Sequence, residues 1–318
     1  MPSPVAQPMK QAASLPARRQ RDHKGDRRRR LFDRAVEAVL FVAAAFCILI
    51  TIGVVGTLIY ESAGFFEHVS LWEFLTGTEW TPLFADPRFG ILPLVTGTLT
   101  VTAVALAVAV PVGTICAIWL SEYSPPRLRE ILKPMLEMLS AVPTVVFGYF
   151  ALMIVTPALQ KIIPGLPGFN MLGAGMVIGL MTVPYVASLG EDAMRAVPMA
   201  LREGAFAMGA TRLQVAWRVV FPAAISGISA AYVLTFSRAL GETMVVAVAA
   251  GMQPNLTFDP RQPAATITAY IVQVSLGDLP HASIGYQSIF AAGLVLLLMT
   301  LVFNVVGYIL RKRYREVY

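Results

Sequence analysis

The sequence predicts an all-α polytopic membrane protein with six transmembrane helices, cytoplasmic N- and C-termini, and a long cytoplasmic loop between helices four and five. Three observations carry this. Of 318 residues, 56% are hydrophobic and only 14% are charged, and the mean hydropathy is +0.66, too apolar for a soluble domain of this length. The apolar residues gather into runs long enough to cross a hydrocarbon layer, which takes about 20 residues of helix. The basic residues fall almost entirely on alternate connections between those runs.

The runs are Val36–Ile59, Ile91–Leu120, Met135–Thr156, Met171–Leu189, Ala223–Ala250 and Ile289–Leu310. They are continuous in Leu, Ile, Val and Ala, without the alternation of a barrel strand, so each reads as a helix. Pro111, Pro143, Gly148, Gly173 and Pro184 fall inside them. Such breakers survive within a bilayer where neighbouring helices or a wet cavity satisfy the freed carbonyls. Gly175 and Gly179 form a G-x-x-x-G pair suited to close helix packing. Cys47 and Cys116 lie in apolar runs and act there as small hydrophobes, which points to neither a disulfide framework nor a metal site.

Of the 25 Lys and Arg residues, twenty-one lie in four places: the stretch up to Arg34, the second connection (Arg127, Arg129, Lys133), the fourth (Arg195, Arg202, Arg212, Arg218) and the C-terminus (Arg311, Lys312, Arg313, Arg315). The other connections hold Arg88, Lys161 and Arg261, and Arg238 sits inside the fifth run. Cytoplasmic segments carry the positive excess, so both termini are assigned to the cytoplasm. Residues 1–30 are polar and basic without apolar periodicity and read as a disordered tail. Residues 31–318 form the membrane domain.

The chemistry of enzymes is missing. No lysine follows a glycine, which excludes a nucleotide-binding loop. The histidines, His23, His68 and His281, form no H-E-x-x-H pair, and there is no G-x-S-x-G elbow. The expectation is a protein without catalytic residues, cofactor or metal.

The connection from Gly190 to Pro222 is the most informative segment. Pro198 can open a helix over Met199–Met208, Gly209 suits its left-handed stop, and Thr211-Arg212-Leu213-Gln214 is a capping box for the next helix. Glu203-Gly204-Ala205, Gly209, Val219, Phe221 and Pro222 resemble the signature of ABC-importer permeases: Glu-Ala-Ala, three residues, Gly, nine residues, Ile, one residue, Leu, Pro. Gly204, Val219 and Phe221 depart from the pattern but stay small or apolar. The resemblance implies that the loop couples to a separate ATPase subunit through Glu203, Gly204, Ala205, Gly209 and Pro222.

From about Trp72 onward a narrower likeness appears. Phe89–Thr98, Ala141–Gly148 and Ser237–Met244 resemble the phosphate-importer permeases of the PstC family. That resemblance implies ATP-driven uptake of inorganic phosphate across a bacterial inner membrane. It also implies three partners: a second permease (PstA), an ATPase dimer (PstB) and a periplasmic phosphate-binding protein (PstS). The same architecture could carry another oxyanion such as molybdate or sulfate, and a gradient-driven secondary transporter would need no ATPase. The outer connections Gly64–Arg88 and Pro254–Tyr286 are expected to dock the binding protein. Their Trp72 and Trp80 either take part or anchor in the membrane interface.

Arg238 and Glu242 are basic and acidic residues deep in one span, where charge costs several kcal/mol unless it is answered. Four residues apart, they can pair on one helix face. Ser237 and Thr243 add hydroxyls, and by resemblance this group lies on the anion path. The charge distribution makes a direct prediction: reporter fusions after Arg88 or Arg261 read outside and fusions after Lys133 or Arg315 read inside, and a periplasmic C-terminus overturns the scheme.

Overall fold

The computed structural model describes residues 23–84, 86–280 and 283–313. Its elements are α1 (His23–Phe66), α2 (Leu71–Thr76), α3 (Leu92–Ile118), α4 (Pro126–Leu139), α5 (Thr144–Phe150), α6 (Thr156–Ile162), α7 (Met171–Arg195), α8 (Met199–Ala207), α9 (Arg212–Val215), α10 (Phe221–Ala223), α11 (Ile225–Leu240), α12 (Met244–Ala249), α13 (Ile267–Ser275) and α14 (Ile284–Arg313). Wide π-type turns extend α3 through Trp119–Tyr123, join α5 to α6, and join α9 to α10. Five of the helical stretches are long and apolar enough to span a membrane, and a bent pair makes a sixth.

Contacts divide the chain into a unit ending at Gly56 and a second from Thr57 onward. The first contains the beginning of α1, whose residues 32–54 are all exposed. Helix α1 starts at His23, so residues 23–30, expected in the tail, are helical; residues 1–22 lie outside the described part.

In the second unit α3 and α7 pack along their lengths, and glycine makes the approach possible. A Cβ on Gly179 would stand 2.7 Å from the Ala105 carbonyl oxygen and 2.7 Å from Val108 Cβ; one on Gly175 would stand 2.7 Å from Val104 Cβ. The G-x-x-x-G pair is thus the α7 half of this contact. Around it lies a core of Val101, Ala105, Val177, Ile178, Met181, Val245 and Val246. A second core is aromatic: Phe65, Phe74, Trp80, Phe89 and Tyr270 pack edge to face, Trp80 and Tyr270 with centroids 5.0 Å apart at 89°. Trp80 is 2% exposed, so it belongs to this core and serves neither of the surface roles open to it from sequence. Trp72 is exposed.

Two spans differ from expectation. The third runs from Thr144 to Ile162, and not from Met135. Met135–Leu139 belong to α4, a helix too charged to enter lipid, with Arg127, Arg129, Glu130, Lys133 and Glu137 among its 14 residues. The fifth is not continuous over Ala223–Ala250. It bends by 74° at Ala224, stops at Leu240, resumes as the short α12, and continues as irregular chain until α13.

Because backbone oxygen bounds the space at Gly179, the packing cannot relax by turning a side chain. Gly179→Val is expected to cost about 1–3 kcal/mol, read as a lower unfolding temperature of the detergent-solubilised protein; an unchanged midpoint would mean that the two helices can separate freely.

Candidate functional site

The break in the fifth span places Glu242 beyond the last residue of α11, so the pair does not share an uninterrupted helix face as the spacing suggests. The charges still meet: Arg238 Nη1 lies 3.6 Å from Glu242 Oε2. Glu242 is 3% exposed and fixed from several sides. Its Oε1 accepts from the backbone N–H of Met244 (3.2 Å) and Val245 (3.5 Å), capping α12. Its carbonyl accepts 2.7 Å from the Thr268 hydroxyl. Thr98 accepts the Ile267 N–H at 3.0 Å and Thr266 caps α13, so the re-entering chain is satisfied as well.

Arg238 is held far more loosely. Its side chain is 38% exposed, and the ion pair is too long to be a hydrogen bond. No hydrogen bond of the Arg238 guanidinium is formed among the described residues. The other two expected members separate from it: Ser237 donates to Asn304 of α14 at 2.9 Å, and Thr243 donates to the Gly241 carbonyl at 3.1 Å.

On the side that the charge bias assigns to the cytoplasm, the loop folds as expected. Helix α8 ends before Gly209, whose φ is +83°, a conformation that favours glycine, and Thr211 and Gln214 form the capping box. Glu203 and Gly204 are exposed, with open space where a Gly204 Cβ would project. Ala205 faces the other way, packed against a core containing Val215, Ala216 and Val220. Phe206 and Met208, at 45% and 88% exposure, take up the outer surface instead. Pro222 lies in α10, next to the bend.

Arg202 is the residue that sequence reasoning passed over. Its Nη1 donates to the Val197 carbonyl at 2.6 Å, and its Nη2 donates to the Met194 carbonyl at 2.8 Å and to Glu122 Oε1 at 3.1 Å. It therefore bolts α8 to the end of α7, where helix carbonyls lack partners, and to the turn that ends α3. Nothing in the local pattern separates it from the other arginines of the loop, because its partners lie up to 80 residues away. Lys133 is another. Partial burial works against its charge, but hydrogen bonds to Asp192 and Glu191 outweigh this and raise its pKa. A raised folded-state pKa means that the bridge stabilises fully below the ordinary lysine value of about 10.4 and is lost as pH rises through the folded value.

A polytopic helical unit whose fifth span breaks at a buried carboxylate and a loosely held arginine has the architecture of a membrane transport component. The family model described as "binding-protein-dependent transport system inner membrane component" matches residues 109–316, and the chain belongs to that family. It is 34% identical over 266 residues to the probable ABC transporter permease protein YqgH of Bacillus subtilis, covering 84% of each chain. It is 32% identical over 295 residues to the phosphate transport system permease protein PstC of Mesorhizobium japonicum, covering 85% of this chain and 88% of that one. Among solved structures, a bacterial ABC transporter that imports alginate aligns with a TM-score of 0.60 at 18% identity, over 90% of this chain and all of that one. An inward-facing MetNI methionine transporter aligns at 0.52 and 17%, over 71% and 94%.

Removing the bolt should free α8. Arg202→Met is expected to lower the hydrogen-exchange protection of the α8 amides by roughly a hundredfold, the scale of breaking a largely buried ion pair. Unchanged protection would assign the position of α8 to its apolar contacts alone.

Proposed function

We propose that this chain is the permease subunit of an ATP-driven importer that moves inorganic phosphate across a bacterial cytoplasmic membrane. It would work with a second permease, an ATPase dimer and a periplasmic phosphate-binding protein. The observation that carries the cargo reading is Arg238: a guanidinium within a span, 3.6 Å from a buried carboxylate that is itself engaged by α12. An arginine fork suits an oxyanion, and the name of the Mesorhizobium relative, a phosphate transport system permease, supports phosphate in particular.

In this mechanism the loaded binding protein docks at the outer connections and the ATPase pair closes against α8. The bundle then opens outward, and the anion exchanges Glu242 for itself on Arg238. Glu242 supplies the counter-charge between cycles, so that an arginine in low-dielectric surroundings is not left alone. Hydrolysis in the partner resets the path. Glu203, Gly204, Phe206 and Met208 would meet the ATPase, while Ala205, Gly209 and Pro222 would hold the loop's shape behind them.

The test is uptake by the complete transporter in vesicles. Arg238→Ala should reduce ATP-dependent phosphate uptake by roughly a hundredfold, the effect of truncating one member of a desolvated charge contact, while the subunits still copurify. Arg238→Lys should recover part of it. Normal uptake by an assembled Arg238→Ala complex would remove Arg238 from the path, and preferential uptake of molybdate or sulfate by the parent protein would reassign the cargo.

A further inference from the structure

Helix α4 buries no residue, yet it is held to the end of α7. Much of the attachment is polar. Lys133 Nζ lies 2.8 Å from Glu191 Oε2 and also bonds Asp192, and the Ser188 hydroxyl donates to Glu137 at 3.0 Å. Leu128, Ile131, Met135 and Met138 are exposed, at spacings that place them on one helix face. On the inner face Leu132, Leu136 and Leu139 are only partly buried, Leu139 against the core around α7, and the charges add the closest ties to α7.

Glu191 is the centre of that contact and, at 1% exposure, the most buried carboxylate among the described residues. One oxygen is committed to Lys133. The other, Oε1, lies 3.7 Å from Arg129 Nη1 on α4 and 3.7 Å from Arg195 Nε on α7, and forms a hydrogen bond with neither. A charge-assisted bond forms at about 2.7–2.9 Å, so a shift of about 1 Å would complete either contact. A buried acceptor gains by completing a bond, and two alternative bonds are within reach.

The neighbours give this choice a mechanical meaning. Arg202 fixes α8 to the carbonyls of Met194 and Val197, just past Glu191. Helix α4 leads through Ser140–Pro143 into α5, where Gly148 packs against α12: a Cβ there would stand 3.0 Å from Val248 Cβ and 3.2 Å from the Met244 carbonyl oxygen. Met244 is the residue whose N–H Glu242 accepts. A contiguous path thus runs from α8 through α7, α4 and α5 to the charged break.

We propose that Glu191 is a two-position latch between α7 and α4: bonded to Arg129 it adds a second tie to α4 beside Lys133, bonded to Arg195 it gives that tie up and loosens α4, and movement of α8 selects between the two. Glu191 is on this account a positioning residue that links the ATPase-facing helix to the anion path, and the inference rests on the transport reading above.

The test uses the complete transporter with Cys47 and Cys116 replaced by alanine, and measures cross-linking between Glu137→Cys and Ser188→Cys by a short bis-methanethiosulfonate. Arg195→Gln leaves Arg129 as the sole arginine partner and should speed cross-linking. Arg129→Gln should slow it, the two differing by roughly tenfold, a factor typical of inter-site coupling. In the parent sequence, Glu191→Gln should lower phosphate moved per ATP hydrolysed by roughly tenfold, with Glu191→Asp recovering part. A static brace would respond in the same direction to loss of either arginine, and that result, or parental transport stoichiometry in Glu191→Gln, overturns the latch. Failure of the parental complex to take up phosphate with ATP would instead refute the transport reading, while the cross-linking contrast would still decide the latch.

Discussion

A hydrocarbon layer offers no water to an unpaired backbone group, so irregular chain at membrane depth persists only where the protein itself supplies the missing bonds. The segment between Leu240 and Ile267 meets that condition through Glu242, Thr98, Thr266 and Thr268. Glu242 caps α12 with its side chain and takes the Thr268 hydroxyl on its carbonyl, while Thr98 and Thr266 accept the N–H groups that open α13. The carboxylate that pairs Arg238 is therefore also a structural part of the break. This dual use explains how a loosely held arginine can sit beside a fixed acid: besides the ion pair they share, the acid takes three hydrogen bonds and the arginine's guanidinium none among the described residues.

The break needs a rigid frame to be broken against. The glycine contact of α7 with α3 supplies it, because two helices whose backbones touch leave neither room nor rotamers for sliding. At the end that the charge bias places inside, the interactions change character. Ion pairs among Glu122, Arg202, Glu191, Arg129, Lys133 and Arg195 there join an apolar core that contains Met194, Val197, Val215 and Val220.

Much of this was legible in the sequence. Continuous apolar runs gave the helices, and the capping box and Gly209 gave the shape of the inner loop, because local chemistry dictates both. The 3.6-residue period also brought Arg238 and Glu242 to the same place, although Gly241–Thr243 interrupt the helix between them. The limits of the third and fifth spans were not legible. Hydropathy alone cannot separate an amphipathic helix that abuts a span from the span, nor a broken helix from a whole one when both halves are apolar.

What the sequence by itself determined was the class of solvent, the helices, the charge asymmetry and the presence of an arginine and a glutamate where charge must be answered. Each follows from composition or from neighbours within a few residues. Tertiary structure alone decided that Trp80 is core, that Ala205 turns inward while Phe206 and Met208 turn out, that Ser237 bonds Asn304 and leaves Arg238, and that Arg202 and Glu191 are junctions. Those outcomes depend on partners between 58 and 80 residues distant in the cases of Lys133, Ser237 and Arg202, and no local pattern encodes which of several equivalent side chains will find the buried partner.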